Sequence, residues 1–402
     1  MTERSPARWR MLALLAMAEL LGMALWFGAN AAAPQLRAIW SLDASQAGWL
    51  TTIVQLGFVA GTATAALLNL ADIVSSRHYF TMAALSAAGL NLALLATPSY
   101  EVALALRFFT GFFLAGVYPP GMKMAATWFR EERGLAIGTV VGALTVGKAM
   151  PYLVQAFEGT GIAWIFVSTS AGAVLAAMLV LLGYRDGPHP FERRPFSWEL
   201  VRTVVREREW RLATGGYLGH MWELYSFWTW VPAFFAASIA AQGLAGEGAF
   251  TLVQVLTFVT IAVGGIGCVW GGRVADRIGH ERFVIGALAT SGACCLAAAL
   301  IYGQPLWVLL PIALIWGASV VADSAQFSTL VTRSVPAHAV GTALTLQTSL
   351  GFLLTMVSMQ LVPVVVDMVG WRWAFTFLAL GPAFGISAIR RLLLPRTPPR
   401  VA

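Results

Sequence analysis

Charge is scarce in this chain. Of its 402 residues only 11% are Asp, Glu, Lys or Arg, against roughly a quarter in soluble domains. With 58% of residues hydrophobic, polar groups cannot cover a surface in water, which excludes an ordinary soluble globular fold. Cysteine is nearly absent as well. Cys268, Cys294 and Cys295 lie inside apolar stretches, without the paired spacing of a metal site or of a secreted disulfide framework, so they read as small apolar residues. The five histidines are scattered, with no pair at metal-ligand spacing. No G-x-x-x-x-G-K-[ST] loop occurs, so nucleotide hydrolysis has no visible site. Of the 26 basic residues only two, Lys123 and Lys148, are lysine.

What the chain has is long apolar runs, such as 11–34, 102–122 and 378–389. A helix of about 20 apolar residues crosses the ~30 Å hydrocarbon layer with every backbone group satisfied internally. Cutting at polar loops predicts twelve spans: 11–34, 47–70, 78–97, 102–126, 134–157, 161–183, 212–237, 249–271, 282–302, 306–331, 338–363 and 372–393. The expected fold class is therefore an all-α polytopic membrane protein. Arg4, Arg8 and Arg10 precede the first run as in a signal peptide, but the run is about twice a signal core in length and lacks a cleavage site, so the first span is expected to be retained.

Basic residues fall on one side. Placing the N-terminus inside puts 21 of the 26 in cytoplasmic segments and only Arg37 and Arg372 outside, so both termini are expected in the cytoplasm of a bacterial-type inner membrane. This placement explains the net charge of +7. The long polar stretch after Tyr184 divides the chain into six-span halves, 1–184 and 212–402, joined by a linker over 185–211. Its arginines and short amphipathic segment suit anionic lipid head groups better than nucleic acid.

The loop after the eighth span reads Gly272-Arg273-Val274-Ala275-Asp276-Arg277-Ile278-Gly279-His280-Glu281-Arg282. It resembles the G-x-x-x-D-R-x-G-x-x-R signature that the major facilitator superfamily carries between the second and third helices of each half. The first-half copy is degenerate: Asp72 and Arg77 survive, whereas Leu68, Ile73 and Ser75 replace the usual Gly, basic residue and Gly. Arg107-Phe108-Phe109-Thr110-Gly111 is similar to the family's R-x-x-x-G element in the fourth helix. The resemblance implies twelve helices in two pseudo-symmetric halves, a central cavity lined by the first, fourth, seventh and tenth helices, and gating by Asp72, Arg77, Gly272, Asp276, Arg277, Gly279 and Arg282. Glycine-rich runs in the fifth and eleventh spans are loosely similar to those of nitrate/nitrite porters. The asparagine of those elements is missing, however, and neither the second nor the eighth span contains arginine, so close helix packing explains the glycines better.

An ionised side chain at the bilayer centre costs at least about 2.5–3.5 kcal/mol, so intramembrane charges point to a cavity. Glu19, Arg107, Lys123, Lys148, His220, Glu223 and Asp323 fall within spans. Lys123 is ~10 Å from the cytoplasmic end, where it can snorkel; Glu19, Lys148, Glu223 and Asp323 lie deeper. Lys148 stands out because the chain otherwise uses arginine wherever a positive charge serves. Expected substrate or cavity residues are Glu19, Trp26, Asn30, Arg107, Tyr118, Lys148, Tyr152, Trp230 and Gln326. The leading expected proton carrier is Glu223, with His220, three residues away on one helical face, as a second titratable group; Glu19 and Asp323 follow.

Together these features suggest a secondary active transporter for a small solute. The buried acids suggest proton coupling, and Lys148 and Arg107 tilt the substrate toward an anionic metabolite. A drug or cation efflux antiporter of the same fold stays open, because Glu19, Glu223 and Asp323 beside many tryptophans would suit a cation. A membrane-embedded enzyme or a transporter-like sensor fits less well. Expected partners are the solute, protons and membrane lipids, with the chain a monomer and no cofactor, metal or nucleic acid.

Overall fold

The computed structural model describes residues 6–68, 70–97, 99–129, 132–157, 161–189 and 197–394, and the side chains of residues 71, 72, 247 and 337 also lie outside the described set. Asp72, a predicted gating acid, is therefore outside the described residues, as are part of the linker and Arg4, Arg130, Arg396 and Arg400. Among the described residues every regular element is helical. Eleven helices are long and apolar enough to cross a membrane. The first span makes the twelfth, and it is shorter because it is broken into Ala7–Met23, Gly28–Ala31 and Ala33–Trp40.

Predicted and observed spans agree within a few residues, with two systematic differences. The seventh begins earlier, as Arg208–Ala241, because the linker's last residues continue directly into it. The eighth extends to Ile278, carrying the signature loop's Asp276 and Arg277 on its last turn until Gly279, at φ +95°, turns the chain into His280–Ile301. That backbone conformation favours glycine.

Three spans are discontinuous. The fourth splits into Tyr100–Leu114 and Tyr118–Ala126, where Pro119 and Pro120 lack the N–H groups needed to continue an i→i−4 ladder. The tenth splits into Leu306–Ala322 and Ser324–Ser334, with Asp323 at the joint. The break in the first span at residues 24–27 contains no proline. Its freed carbonyls need outside donors, and Arg107 provides them.

Helices approach closely where glycine removes the side chain. A Cβ on Gly57 would lie 1.9 Å from the Phe108 carbonyl oxygen, one on Gly147 2.1 Å from that of Leu20, and one on Gly317 1.7 Å from that of Thr260. The fifth and eighth spans, from opposite halves, meet where Gly142 faces Gly265 and Gly138 faces the Cys268 carbonyl. Gly138, Gly142 and Gly147 of the fifth span thus serve packing whereas Gly134 faces open space; in the eleventh, Gly351 packs on the Tyr217 ring whereas Gly341 faces open space.

On the arginine-poor side the halves are also joined by polar contacts. Gln360 Nε2 donates to Thr52 Oγ1 at 2.9 Å and Ser45 Oγ donates to Gln360 Oε1 at 3.0 Å. Trp230 covers Gly48, whose missing Cβ would stand 2.8 Å from the indole.

Candidate functional site

Lys148 is the centre of the arrangement. It projects from the fifth span, is 1% exposed, and its ammonium lies 4.2 Å from the centre of the Trp26 ring, 4.6 Å from Tyr225 and 5.1 Å from Trp228. Its hydrogen-bond partner is the Tyr225 hydroxyl. Among the described residues no carboxylate forms an ion pair with it. The first and fifth spans therefore meet the seventh around one cation held by aromatic faces, an arrangement in which the ring quadrupoles replace part of the lost hydration. The rings continue outward as a cluster: Trp26 packs on Phe58 at 5.2 Å and on Phe352 at 5.6 Å, and Phe58 meets Tyr118 at 6.4 Å.

One helical turn from Lys148 and Trp26, Tyr152 and Asn30 form a second junction. Asn30 Nδ2 donates to the Tyr152 hydroxyl and, at 3.1 Å, to the Thr229 carbonyl of the other half; Thr51 Oγ1 donates to Asn30 Oδ1 at 3.3 Å. Trp230 Nε1 donates to the Met359 carbonyl at 2.8 Å, which fixes the ring over Gly48. Asn30, Tyr152 and Trp230 thus belong to the closure on the arginine-poor side as much as to any cavity wall.

Arg107, grouped with the cavity residues from sequence, is fully buried and points at backbone. Nε donates to Leu50 O at 3.1 Å, Nη1 to Leu25 O at 2.9 Å and Nη2 to Trp26 O. Its role in this structure is to stabilise the break in the first span and to dock it on the second. By holding the Trp26 carbonyl it also positions that ring over Lys148.

Glu19 is fully buried on the first span, pressed against the Cα of Gly121, and neither of its carboxyl oxygens has a hydrogen-bond partner. Lys148 is its Coulombic partner without direct contact.

The sequence groups His220 with Glu223; the structure separates them. His220 Nδ1 lies 2.9 Å from Asp323 Oδ1, and its Nε2 is 2.9 Å from Ser324 Oγ, so the imidazole bridges the seventh span to the joint of the tenth. Glu223 faces the interior of its own half. Ser291 Oγ donates to Oε2 at 2.8 Å, while Trp316 Nε1 and the Cys295 thiol donate to Oε1 at 2.6 and 3.2 Å. Phe227, on the same face, stacks on Trp316 at 4.3 Å. Gln326, expected in the cavity, instead lies 2.6 Å from His280 Nδ1, against the signature loop.

In that loop Asp276 Oδ1 is 3.9 Å from His280 Nε2, and the carboxylate is largely exposed, as are Arg277 and Arg282; Gly272 is buried against the eighth span's neighbours. Arg77 begins the third span, where its carbonyl accepts from Thr81 at 2.8 Å. Among the described residues no group of His, Cys, Asp or Glu side chains could hold a metal ion.

Sequence reasoning missed Tyr225 and Trp228, the walls around Lys148. Their signal was present in the aromatic density of Trp222-Glu223-Leu224-Tyr225-Ser226-Phe227-Trp228, but a single helical face through His220 and Glu223 drew the selection to the opposite side. It also missed Ser291 and Cys295, which no spacing rule links to Glu223.

The whole architecture has solved counterparts. A bacterial homologue of the human lysosomal transporter Spinster, in an inward-facing and unoccupied conformation, superposes with a TM-score of 0.74 at 15% identity, covering 97% of this chain and 98% of that one. The nucleoside transporter NupG gives 0.70 at 14% identity, covering 96% and 100%. At such identities the likeness shows the fold. Among curated sequences, a D-galactonate transporter of Escherichia coli O6:H1 is 24% identical over 217 residues, 45% of this chain and 47% of that one. The uncharacterized transporter YgaY of Escherichia coli K12 is 28% identical over 183 residues, 45% and 44%. The MFS-type transporter opdF of Penicillium oxalicum is 23% identical over 213 residues, 52% and 48%. The chain spans about half the length of the curated relatives it matches. The family model described as Major Facilitator Superfamily matches residues 15–359 and 248–402, nearly the full length. With twelve helical spans, the signature loop turning on Gly279 and this match, the chain belongs to the Major Facilitator Superfamily.

Proposed function

We propose that this chain is a secondary active transporter, not an enzyme, and that it moves a small anionic metabolite across a bacterial inner membrane by alternating access. The observation that carries the reading is the place of Lys148. It lies in the contact between halves, fully buried, without a carboxylate ion pair, beneath the closure formed by Gln360, Thr52, Ser45 and Trp230. A buried cation at a moving interface is where a substrate charge has leverage on the rocking of two halves. The D-galactonate transporter among the relatives moves an anion, which supports the same lean.

With the arginine-rich side in the cytoplasm, the closed side is the outer one and the signature loop faces inward. Proton coupling draws support from Glu19 and Asp323. Among the described residues Glu19 is buried without a hydrogen-bond donor and Asp323 pairs with a histidine, so each has capacity to take a proton when solvent or substrate reaches it. The unpartnered Glu19 is also the observation that favours the competing reading, efflux of a cation. Reconstituted liposomes separate them: a pH gradient, alkaline inside, should drive accumulation of an acid above its external concentration, and a protonophore should abolish it. Uphill movement of cationic dyes with no movement of organic acids would establish the competing reading instead.

A further inference from the structure

Two buried donors near Lys148 have no acceptor. Trp26 and Trp228 are almost wholly inaccessible, and the indole Nε1–H of each lacks a hydrogen-bond partner. Native structures rarely leave such groups unmet, and each exception calls for a reason, such as a water or ion that belongs there. Both rings already face the Lys148 ammonium, at 4.2 and 5.1 Å. Among the described residues the polar partner of that ammonium is a phenol, Tyr225, which an anion can displace. Two unmet donors and one met by a phenol are thus carried by three side chains that meet at one ammonium, two of them from the first half and one from the second.

Around these donors the walls are mostly aromatic. Phe58, Tyr118, Tyr225 and Phe352 complete the ring cluster, and the rings of Phe58 and Phe352 are 4.7 Å apart. Among the polar groups of this region, those of Asn30, Tyr152 and Thr51 are bonded to one another, whereas the Thr229 hydroxyl has no partner. A planar hydrocarbon body stacks on these rings, whereas the hydroxyls of a polyhydroxylated acid would lie mostly against aromatic faces.

We infer that Lys148 and the indole N–H groups of Trp26 and Trp228 form a binding site for the carboxylate of a small organic acid with a flat, apolar body. The inference rests on the transport reading for its biological purpose but not for its chemistry. One carboxylate oxygen takes the ammonium in place of the Tyr225 hydroxyl, the other accepts from the indoles, and the hydrocarbon lies among the rings. Because Trp26 and Lys148 belong to one half and Trp228 to the other, such a ligand bridges the two, and rocking the halves apart on the closed side removes one of its donors.

Equilibrium binding tests this without any gradient. Isothermal titration calorimetry of the purified full chain in detergent would use benzoate, benzyl alcohol, D-galactonate and nitrate as probes. Benzoate should bind, with benzyl alcohol, D-galactonate and nitrate each at least about tenfold weaker. Lys148→Met should abolish benzoate binding. Trp228→Phe, which keeps a ring and deletes the N–H, should weaken it about tenfold. Tyr225→Phe removes the internal competitor and should leave binding intact or tighter; this variant also reports that the altered pocket still folds. Absence of benzoate binding to the wild-type chain, equal binding of galactonate or nitrate, or full binding by Lys148→Met would each overturn the inference. Benzoate binding that depends on Lys148, in liposomes that accumulate nothing, would uphold the site while refuting the transport reading.

Discussion

His220 and Asp323 form a buried pair across two helices, with Nδ1 and Oδ1 2.9 Å apart at the joint of the tenth span. The imidazole's other nitrogen reaches Ser324, so the pair ties the seventh span to the inner segment of the tenth rather than to Glu223. Removing one member of a buried polar pair leaves the other without a partner, commonly a loss of about 1–3 kcal/mol. His220→Ala and Asp323→Asn should each lower thermal stability in detergent. The double variant should lose clearly less than the sum, since the second change removes a group already stranded. Strict additivity would show that the pair does not interact in solution.

The three buried acids should separate in function. Among the described residues Glu223 receives three donors, whereas Glu19 receives none and Asp323 pairs with His220. A group already fixed by three donors suits structure; the others suit proton exchange. Glu223→Gln should therefore cost about 1–3 kcal/mol of stability, because its amide hydrogens would face the Trp316 and Ser291 donors, while the folded fraction keeps gradient-driven uptake. Glu19→Gln or Asp323→Asn should abolish gradient-driven accumulation yet preserve exchange at equal pH. Retained accumulation in both would remove these acids from coupling.

Much of this was legible in the sequence. Apolar runs and the one-sided arginines gave the spans, because the bilayer makes length and charge placement nearly sufficient. The pull of Lys148 was visible from lysine's scarcity. What stayed hidden was orientation. The seventh span has two polar-aromatic faces, one through His220, Glu223, Phe227 and Trp230 and another through Tyr225 and Trp228. Periodicity shows that both exist but not which faces the partner half. Arg107 misled for a related reason: a buried guanidinium looks the same in sequence whether it awaits a ligand or fills carbonyls freed by a helix break. That break, at Leu25 and Trp26, has no proline to announce it.

Close backbone contact at Gly317 predicts a clean contrast. A Cβ there would meet the Thr260 carbonyl at 1.7 Å, whereas one at Gly286 would meet nothing within 4 Å. Gly317→Ala must push the eighth and tenth spans apart, at a cost of about 1–3 kcal/mol. Gly286→Ala should be neutral or stabilising by up to about 1 kcal/mol, through helix propensity. Thermal unfolding in detergent checks both, and equal effects would contradict the helix contact.

The closure on the arginine-poor side offers a covalent test. Ser45 and Gln360 side chains touch at 3.0 Å across the halves. Oxidative cross-linking of the Ser45→Cys, Gln360→Cys double variant should stop transport, and reductant should restore it. Full activity in the cross-linked protein would mean that this contact never opens.

Alternating access itself is tested most directly by measuring both sides of one molecule. Spin labels at positions 45 and 360 report the closed side, and labels at 68 and 341, at the arginine-rich ends of the second and eleventh spans, report the other. In nanodiscs, pulsed dipolar distances for the two pairs should change in opposite senses between mildly alkaline and mildly acidic conditions, one lengthening as the other shortens. Distances that stay fixed under both conditions, or that lengthen together, would contradict a transporter that rocks about Lys148.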